Sequence, residues 1–247
     1  LHRSGHSFPT RRSSDLLDAS ANFLGGISMS IRVHFEEELE DLKKQIKELA
    51  HNVKDSLDQA IYVLYQGDVE AAKKILEDDA AIDRKEEKIN DDAILMLAKQ
   101  QPVARDLRRI IIAIKISSDL ERMADHSTNI AKATIHLGEE HGIEIDPELR
   151  EMAVLAMDMV DLAIKSFEYE DISLAKKLAE MDDVVDKKYG SIVKEMLELT
   201  AINPEQIQHI MQMAYVARYI ERFADHITNI GESIFYLVKG RTYDLNK

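Results

Sequence analysis

The feature that most constrains the fold is an internal duplication. Residues 121–130, with the sequence ERMADHSTNI, match ERFADHITNI at residues 221–230 in eight of ten positions. A second block lies upstream of each copy, and residues 68–89 share nine identities with residues 171–192. A repeat of this length, present twice, predicts two similar structural units rather than a solenoid of many short repeats.

Each copy has the apolar spacing of long helices. In the first segment apolar residues recur three and four positions apart, at Leu39, Leu42, Ile46, Leu49, Val53, Leu57, Ile61 and Leu64, as expected on one face of an amphipathic helix. Glycines that end helices and Asp-Pro or Asn-Pro pairs that begin them separate the segments. The pattern predicts an all-α fold of two three-helix units, with helices at about 31–66, 69–99, 102–137, 148–168, 171–200 and 205–239. The repeats then occupy residues 30–140 and 141–247.

The first residues do not share this pattern. Residues 1–28 are rich in Ser, Gly and Arg, and they lack the apolar stretch of a signal peptide. Met29 opens the periodic part of the sequence. We therefore expect residues 1–28 to be a disordered or extraneous N-terminal segment, and in the absence of an export signal we expect a cytoplasmic location.

Composition and missing motifs exclude several classes of function. The net charge of −14 argues against nucleic acid or an anionic membrane surface as the main partner. The absence of cysteine excludes thiolate metal sites and thiol nucleophiles. No apolar run approaches the length of a membrane-spanning helix. Neither a Walker A loop nor a Gly-x-Ser-x-Gly motif is present, so we expect a protein that is not an enzyme.

The residues most able to carry chemistry are acidic pairs four positions apart, which place two carboxylates on one helix face. There are two pairs in each repeat: Asp79 and Asp83, Glu121 and Asp125, Asp182 and Asp186, Glu221 and Asp225. At 100° per residue Glu121 continues the apolar seam of Leu107 and Ile114, so the pair points toward a neighbouring helix. Three outcomes remain open: a bound Mg, Ca, Mn, iron or zinc ion, pairing with Arg or Lys from another helix, or exposure to solvent. The duplication favours a metal.

Two further residue types accompany each pair. His126 and His226 directly follow the aspartates and point toward a polar stripe that also carries Asp119. We expect them on the surface, with a supporting role at a metal site as the alternative. Asn129 and Asn229 lie two turns beyond the glutamates, where they are candidates for hydrogen bonds to a carboxylate or a metal-bound water.

These motifs resemble a known family. The segment QPVARDLRRIIIAIKISSDLERMADHSTNIAKA, residues 101–133, is similar to the signature helix of the PhoU family, whose E(D)xxxD motif recurs here at Glu121–Asp125 and Glu221–Asp225. The resemblance covers about residues 30–240 and implies two tandem antiparallel three-helix bundles. It also implies clusters of iron, zinc, manganese or magnesium held by the eight carboxylates, in which the second-helix pairs are here Asp-Asp.

The resemblance implies a regulatory function. PhoU-like proteins restrain phosphate uptake and phosphate-starvation signalling, and they link the ATPase subunit of a phosphate ABC transporter to a sensor histidine kinase. The implied protein is a homodimer that meets the membrane only through its partners. Two alternatives are a metal-free helical scaffold and a carboxylate-bridged di-metal enzyme. The enzyme needs Glu-x-x-His on two helices, but positions 124 and 224 are alanines.

Overall fold

The fold consists of six long helices in two bundles. The computed structural model describes residues 13–139, 142 and 144–245, with side chains from residue 32 onward, and this part of the chain contains no strand. The helices are α1 (Ser13–Gln66), α2 (Val69–Gln100), α3 (Ala104–Leu137), α4 (Pro147–Tyr169), α5 (Ile172–Ile202) and α6 (Ile207–Lys239). The chain divides into two units, Leu1–Glu40 and Asp41–Lys247. The described part of the first is the beginning of α1, and the second contains the rest of the fold.

The predicted helix boundaries agree with the structure at nearly every end. Asp68, Asp146 and Asp171 accept hydrogen bonds from backbone N–H groups in the first turns of α2, α4 and α5, as N-caps do. Gly67 and Gly240 follow α1 and α6 with φ of 64° and 69°, in the left-handed region that glycine adopts without strain. These local signals define the helices before any tertiary contact is considered.

The start of α1 differs from the prediction. The helix begins at Ser13, although the sequence pattern predicts none before residue 31. No proline follows Pro9 until Pro102, so nothing in the backbone forbids the extension. Residues 1–12 lie outside the described residues, and the expectation that residues 1–28 are extraneous to the protein stays a prediction.

The helices form two antiparallel three-helix bundles that meet through α3 and α6. In the first bundle α2 packs on α3, and in the second α4 and α5 pack on α6. Hydrogen bonds join α1 to α2 and to α4, through Lys85–Glu48 and Lys54–Asp161. The helices α3 and α6 run antiparallel, since Nε of Arg108 donates to the carbonyl of Leu237 near one end. The two copies of the acidic motif therefore lie on adjacent helices.

The core confirms the predicted apolar face of α1. The residues that the spacing of three and four selects are at most 4% exposed: Leu39, Leu42, Ile46, Leu49, Val53, Leu57, Ile61 and Leu64. In the part of the chain with described side chains, no helix combines the length and apolarity that a bilayer crossing needs.

A partly buried ionic contact joins the first bundle to the second at the end of α4. Glu170 follows α4 with an exposed fraction of 11% for its side chain, and it accepts hydrogen bonds from Arg105 and from Nε of Arg109, the latter at 2.9 Å. Although burial acts to raise it, these guanidinium groups hold the pKa of Glu170 below its usual range.

We expect Glu170→Gln to lower the free energy of unfolding by about 1–3 kcal/mol, because the partly buried guanidinium of Arg109 loses its charged bond to Glu170 and keeps the one to Asp106. Glu168→Gln is the matched control, since Glu168 pairs with Lys47 at a more exposed position and such pairs contribute about 0–1 kcal/mol. Urea denaturation at neutral pH measures both. Equal losses in the two variants would contradict this assignment.

Two candidate metal centres and the interface between them

The predicted carboxylates of the first repeat come together between α2 and α3. We call Asp79, Asp83, Glu121 and Asp125 cluster I. Burial, followed by the charges of Asp83 and Asp125, raises the pKa of Asp79. Burial, followed by the charges of Asp125 and Asp83, also raises the pKa of Glu121. The structure thus brings both predicted pairs within electrostatic reach of each other.

The second repeat builds the same arrangement between α5 and α6. We call Asp182, Asp186, Glu221 and Asp225 cluster II. Asp182 is only 4% exposed, and burial together with the charges of Asp186, Asp225 and Glu221 raises its pKa to about 7. Burial and then Asp225 raise the pKa values of both Asp186 and Glu221. Cluster II is the more deeply buried of the two.

Buried oxygen atoms without partners occur in cluster II. Oδ1 of Asp182 and Oε2 of Glu221 are inaccessible to solvent and make no hydrogen bond. Among the described side chains, no carboxylate of cluster I carries such an atom. A buried acceptor without a donor costs about 1–3 kcal/mol, and more when it is charged. A bound cation, or a proton on one of the carboxylates, would remove this cost from cluster II.

Exposed basic side chains compensate part of the negative charge of the clusters. Arg122 lies 3.5 Å from a Glu121 oxygen and 3.4 Å from an Asp125 oxygen, and its own side chain is 61% exposed. In the second repeat Nη1 of Arg218 donates to Oε1 of Glu221 at 2.9 Å. The predicted alternative of pairing with basic residues is therefore present in part. One arginine contacts each cluster, and the charges of Lys132 and Arg222 also act on Asp79 and Glu221.

The donor sets fit a hard cation in their chemistry. All eight ligand candidates are carboxylates, which suit Mg²⁺, Mn²⁺, Ca²⁺ and iron. In their present rotamers no three Asp, Glu or His side chains within the described residues converge closely enough to hold a metal ion.

The two histidines lie in the α3–α6 interface, so the prediction that they are surface residues is wrong. Their rings stack on each other with centroids 5.6 Å apart, and His126 also stacks on Tyr219 at 6.2 Å. Nδ1 of His226 lies 3.0 Å from a carboxylate oxygen of Asp119, whereas Nδ1 of His126 is buried without a partner. Burial, followed by the positive charges of His226 and Arg222, lowers the pKa of His126 to about 4.

The asparagines also make contacts outside the clusters. Nδ2 of Asn229 donates to Asp119 at 3.3 Å, and Oδ1 of Asn129 accepts from Lys132 at 3.4 Å. A supporting role for either residue at a metal site stays a prediction.

Sequence reasoning missed Asp119 and Tyr219 as interface residues. They occupy equivalent positions in the two repeats, and their different side chains give the two histidines different partners. The difference between residues 119 and 219, just before the block of identities that begins at Glu121 and Glu221, is the signal that could have found them.

Comparisons with known proteins agree with the duplication. A family model described as the PhoU domain matches residues 46–134 and 149–234. The chain is 38% identical to a phosphate-specific transport system accessory protein PhoU homolog of Aquifex aeolicus, over 83% of this chain and 92% of that protein. It is similar to the crystal structure of PhoU from Pseudomonas aeruginosa, with 31% identity, TM-score 0.78, and coverage of 84% of this chain and 100% of the other. The phosphate transport system regulatory protein PhoU from Streptococcus pneumoniae matches with 32% identity, TM-score 0.80, and coverage of 85% and 99%.

Proposed function

This chain belongs to the PhoU family, and from that premise we propose that it regulates phosphate uptake. The names of its relatives support this proposal, since they describe accessory and regulatory proteins of phosphate transport. In this role the protein restrains uptake and phosphate-starvation signalling when phosphate is plentiful. The role is non-catalytic and cytoplasmic.

The proposed mode of action is that of a metal-bearing adaptor. It joins the ATPase subunit of a phosphate ABC transporter to a sensor histidine kinase, as a homodimer that reaches the membrane only through these partners. The high content of acidic residues, 46 Asp and Glu against 32 Lys and Arg, supports protein partners over lipid, because an anionic bilayer would repel a surface of net charge −14.

The observation that carries the metal part of the proposal is the recurrence of the same carboxylate cluster in both repeats, with unpartnered buried oxygens in one of them. Cluster I would hold one metal centre and cluster II the other, with iron, zinc, manganese or magnesium as candidates. His126 and His226 are directed into the α3–α6 interface, which leaves oxygen donors for the cation. The bound ion would neutralise the carboxylates and thereby join α2 to α3 and α5 to α6.

Deletion of the gene tests the regulatory role. Cells without the protein should take up phosphate and express starvation genes even when phosphate is abundant, and the wild-type gene should restore repression. Unchanged uptake and unchanged expression in the deletion strain would refute the role. Capture of the tagged protein with the transporter ATPase and with the kinase then tests the two partners separately.

Metal content tests the centres. We expect several equivalents of metal by mass spectrometry in protein purified without an affinity metal, and a loss of most of it in the double variant Glu121→Ala, Glu221→Ala, because each cluster loses a carboxylate ligand. The matched control is Glu77→Ala, Glu180→Ala, an exposed pair at equivalent positions of the two repeats. Metal absent from the wild type, or retained by the double variant, would contradict the assignment.

A further inference from the structure

We propose that the two centres are inequivalent, and that cluster II binds the metal ion first and more tightly than cluster I. This inference rests on the proposed metal-binding function and adds an order of filling to it. The sequence predicts equivalent sites, because all four positions of cluster II repeat those of cluster I with the same residue types. The difference arises from packing.

Burial distinguishes the equivalent residues. Asp182 is 4% exposed and fully buried at Oδ1, whereas its counterpart Asp79 is partly exposed. The side chain of Glu221 is 12% exposed, and that of its counterpart Glu121 is 25% exposed. Water can therefore solvate the carboxylates of cluster I in the absence of metal, but it cannot reach two of the oxygens of cluster II.

The difference in solvation gives a difference in affinity. Attraction between a cation and a carboxylate increases as water is excluded, since the local dielectric constant falls. Folding has already removed water from Asp182 and Glu221. A cation that binds at cluster II is therefore attracted to these carboxylates without a further desolvation cost. At cluster I the incoming ion must displace water from the more exposed carboxylates, which reduces the net gain.

Charge does not account for the difference. The negative charge of one further acidic residue raises a pKa in each cluster: Glu86 raises that of Glu121, and Asp183 raises that of Asp182. The contact of Arg218 with Glu221 opposes metal binding at cluster II, but it engages Oε1 and leaves the buried Oε2 free. Arg218 is also 44% exposed, so it can withdraw into solvent.

A titration with Mn²⁺ alone tests the order of filling. Full-length protein freed of metal by chelation is titrated, and free Mn²⁺ is followed by electron paramagnetic resonance. We expect two phases in the wild type, separated by about tenfold in Kd or more, which corresponds to about 1.4 kcal/mol. Asp182→Asn should abolish the tight phase, and Asp79→Asn the weak one. The exposed control variants Glu180→Gln and Glu77→Gln should retain both phases.

The outcomes separate this inference from the function on which it rests. Binding of Mn²⁺ with equal affinity at both centres, or loss of the tight phase in Asp79→Asn, would overturn the order of filling while leaving metal binding intact. No binding by the wild type would overturn both. Circular dichroism of each variant shows that the helices are intact, and the near-isosteric Asp-to-Asn change preserves the shape of the site.

Discussion

One buried carboxyl group should contribute increasing stability to the metal-free protein as the pH falls from about 8.5 to about 5.5. The cause is Asp182, whose pKa in the folded protein is about 7 against a usual value of 3.8. Between these two values the folded state binds a proton that the unfolded state does not. The destabilisation is therefore fully present above the folded-state pKa and is relieved as the pH falls through it. For this residue alone we expect a gain of about 2 kcal/mol across that pH interval.

Replacement of the charge isolates the effect of Asp182. Asp182→Asn should increase the free energy of unfolding at about pH 8.5 by roughly 2–4 kcal/mol, because a neutral amide replaces a buried carboxylate that has no partner. The pH dependence assigned to Asp182 should disappear at the same time. Urea denaturation in the presence of a chelator measures both quantities, and Glu180→Gln on the same helix is the exposed control. A less stable Asp182→Asn variant would show that Oδ1 is satisfied in the folded protein.

The same residue explains how metal and stability should be linked. A cation in cluster II would remove the penalty that Asp182 imposes, so the loaded wild-type protein should gain more stability from Mn²⁺ than Asp182→Asn does. The gain should also be larger at about pH 8 than at about pH 6, because protonation of Asp182 competes with the metal. The two effects have one origin, a carboxylate that α5 buries beside Asp186 and Glu221 without providing a donor.

The helices and the composition of the clusters could be predicted from the sequence because their signals are local or repeated. Asp68 and Asp171 are N-cap residues that mark the starts of α2 and α5 in the sequence. The spacing of four between the acidic residues is the same in both repeats. The approach of the two pairs across α2 and α3, with Asp125 near Asp79 and Asp83 near Glu121, required one further step, the extension of the register of Leu107 and Ile114 to Glu121. Leu107 itself is 39% exposed in the structure, so this register is not a buried seam along its whole length. Each of these signals is a property of a helix face.

The face of α3 that packs on α6 could not be predicted in the same way. Helix α3 is buried on several sides, so that residues as different in direction as Ile110, Ile112 and Ala113 are all at most 1% exposed. A helix that is contacted on several sides has no continuous solvent-exposed polar face. Polar residues such as Asp119 therefore lie in an interface with a neighbouring helix. The deeper burial of Asp182 compared with Asp79 depends on packing distances that residue types do not encode.

The interface histidine provides the second large effect, in the opposite pH direction to Asp182. The pKa of His126 is about 4 in the folded protein against 6.5 in the unfolded chain, so between these values the unfolded state binds a proton that the folded state does not. The stability contributed by the neutral ring is fully present above about pH 6.5 and is lost as the pH falls toward 4. We expect a loss of about 3 kcal/mol at about pH 4 from this residue.

His126→Phe should remove this loss because a phenyl ring retains the stacking on Tyr219 and His226 but carries no proton acceptor. As the pH falls from about 7.5 to about 4, the free energy of unfolding of the variant should therefore rise by about 3 kcal/mol relative to that of the wild type. His51→Phe, at an exposed position of α1, should show no such trend. If the difference for His126→Phe is constant with pH, the ring is protonated in the folded protein, and the repulsion from His226 and Arg222 must then be relieved by a rearrangement of the α3–α6 interface.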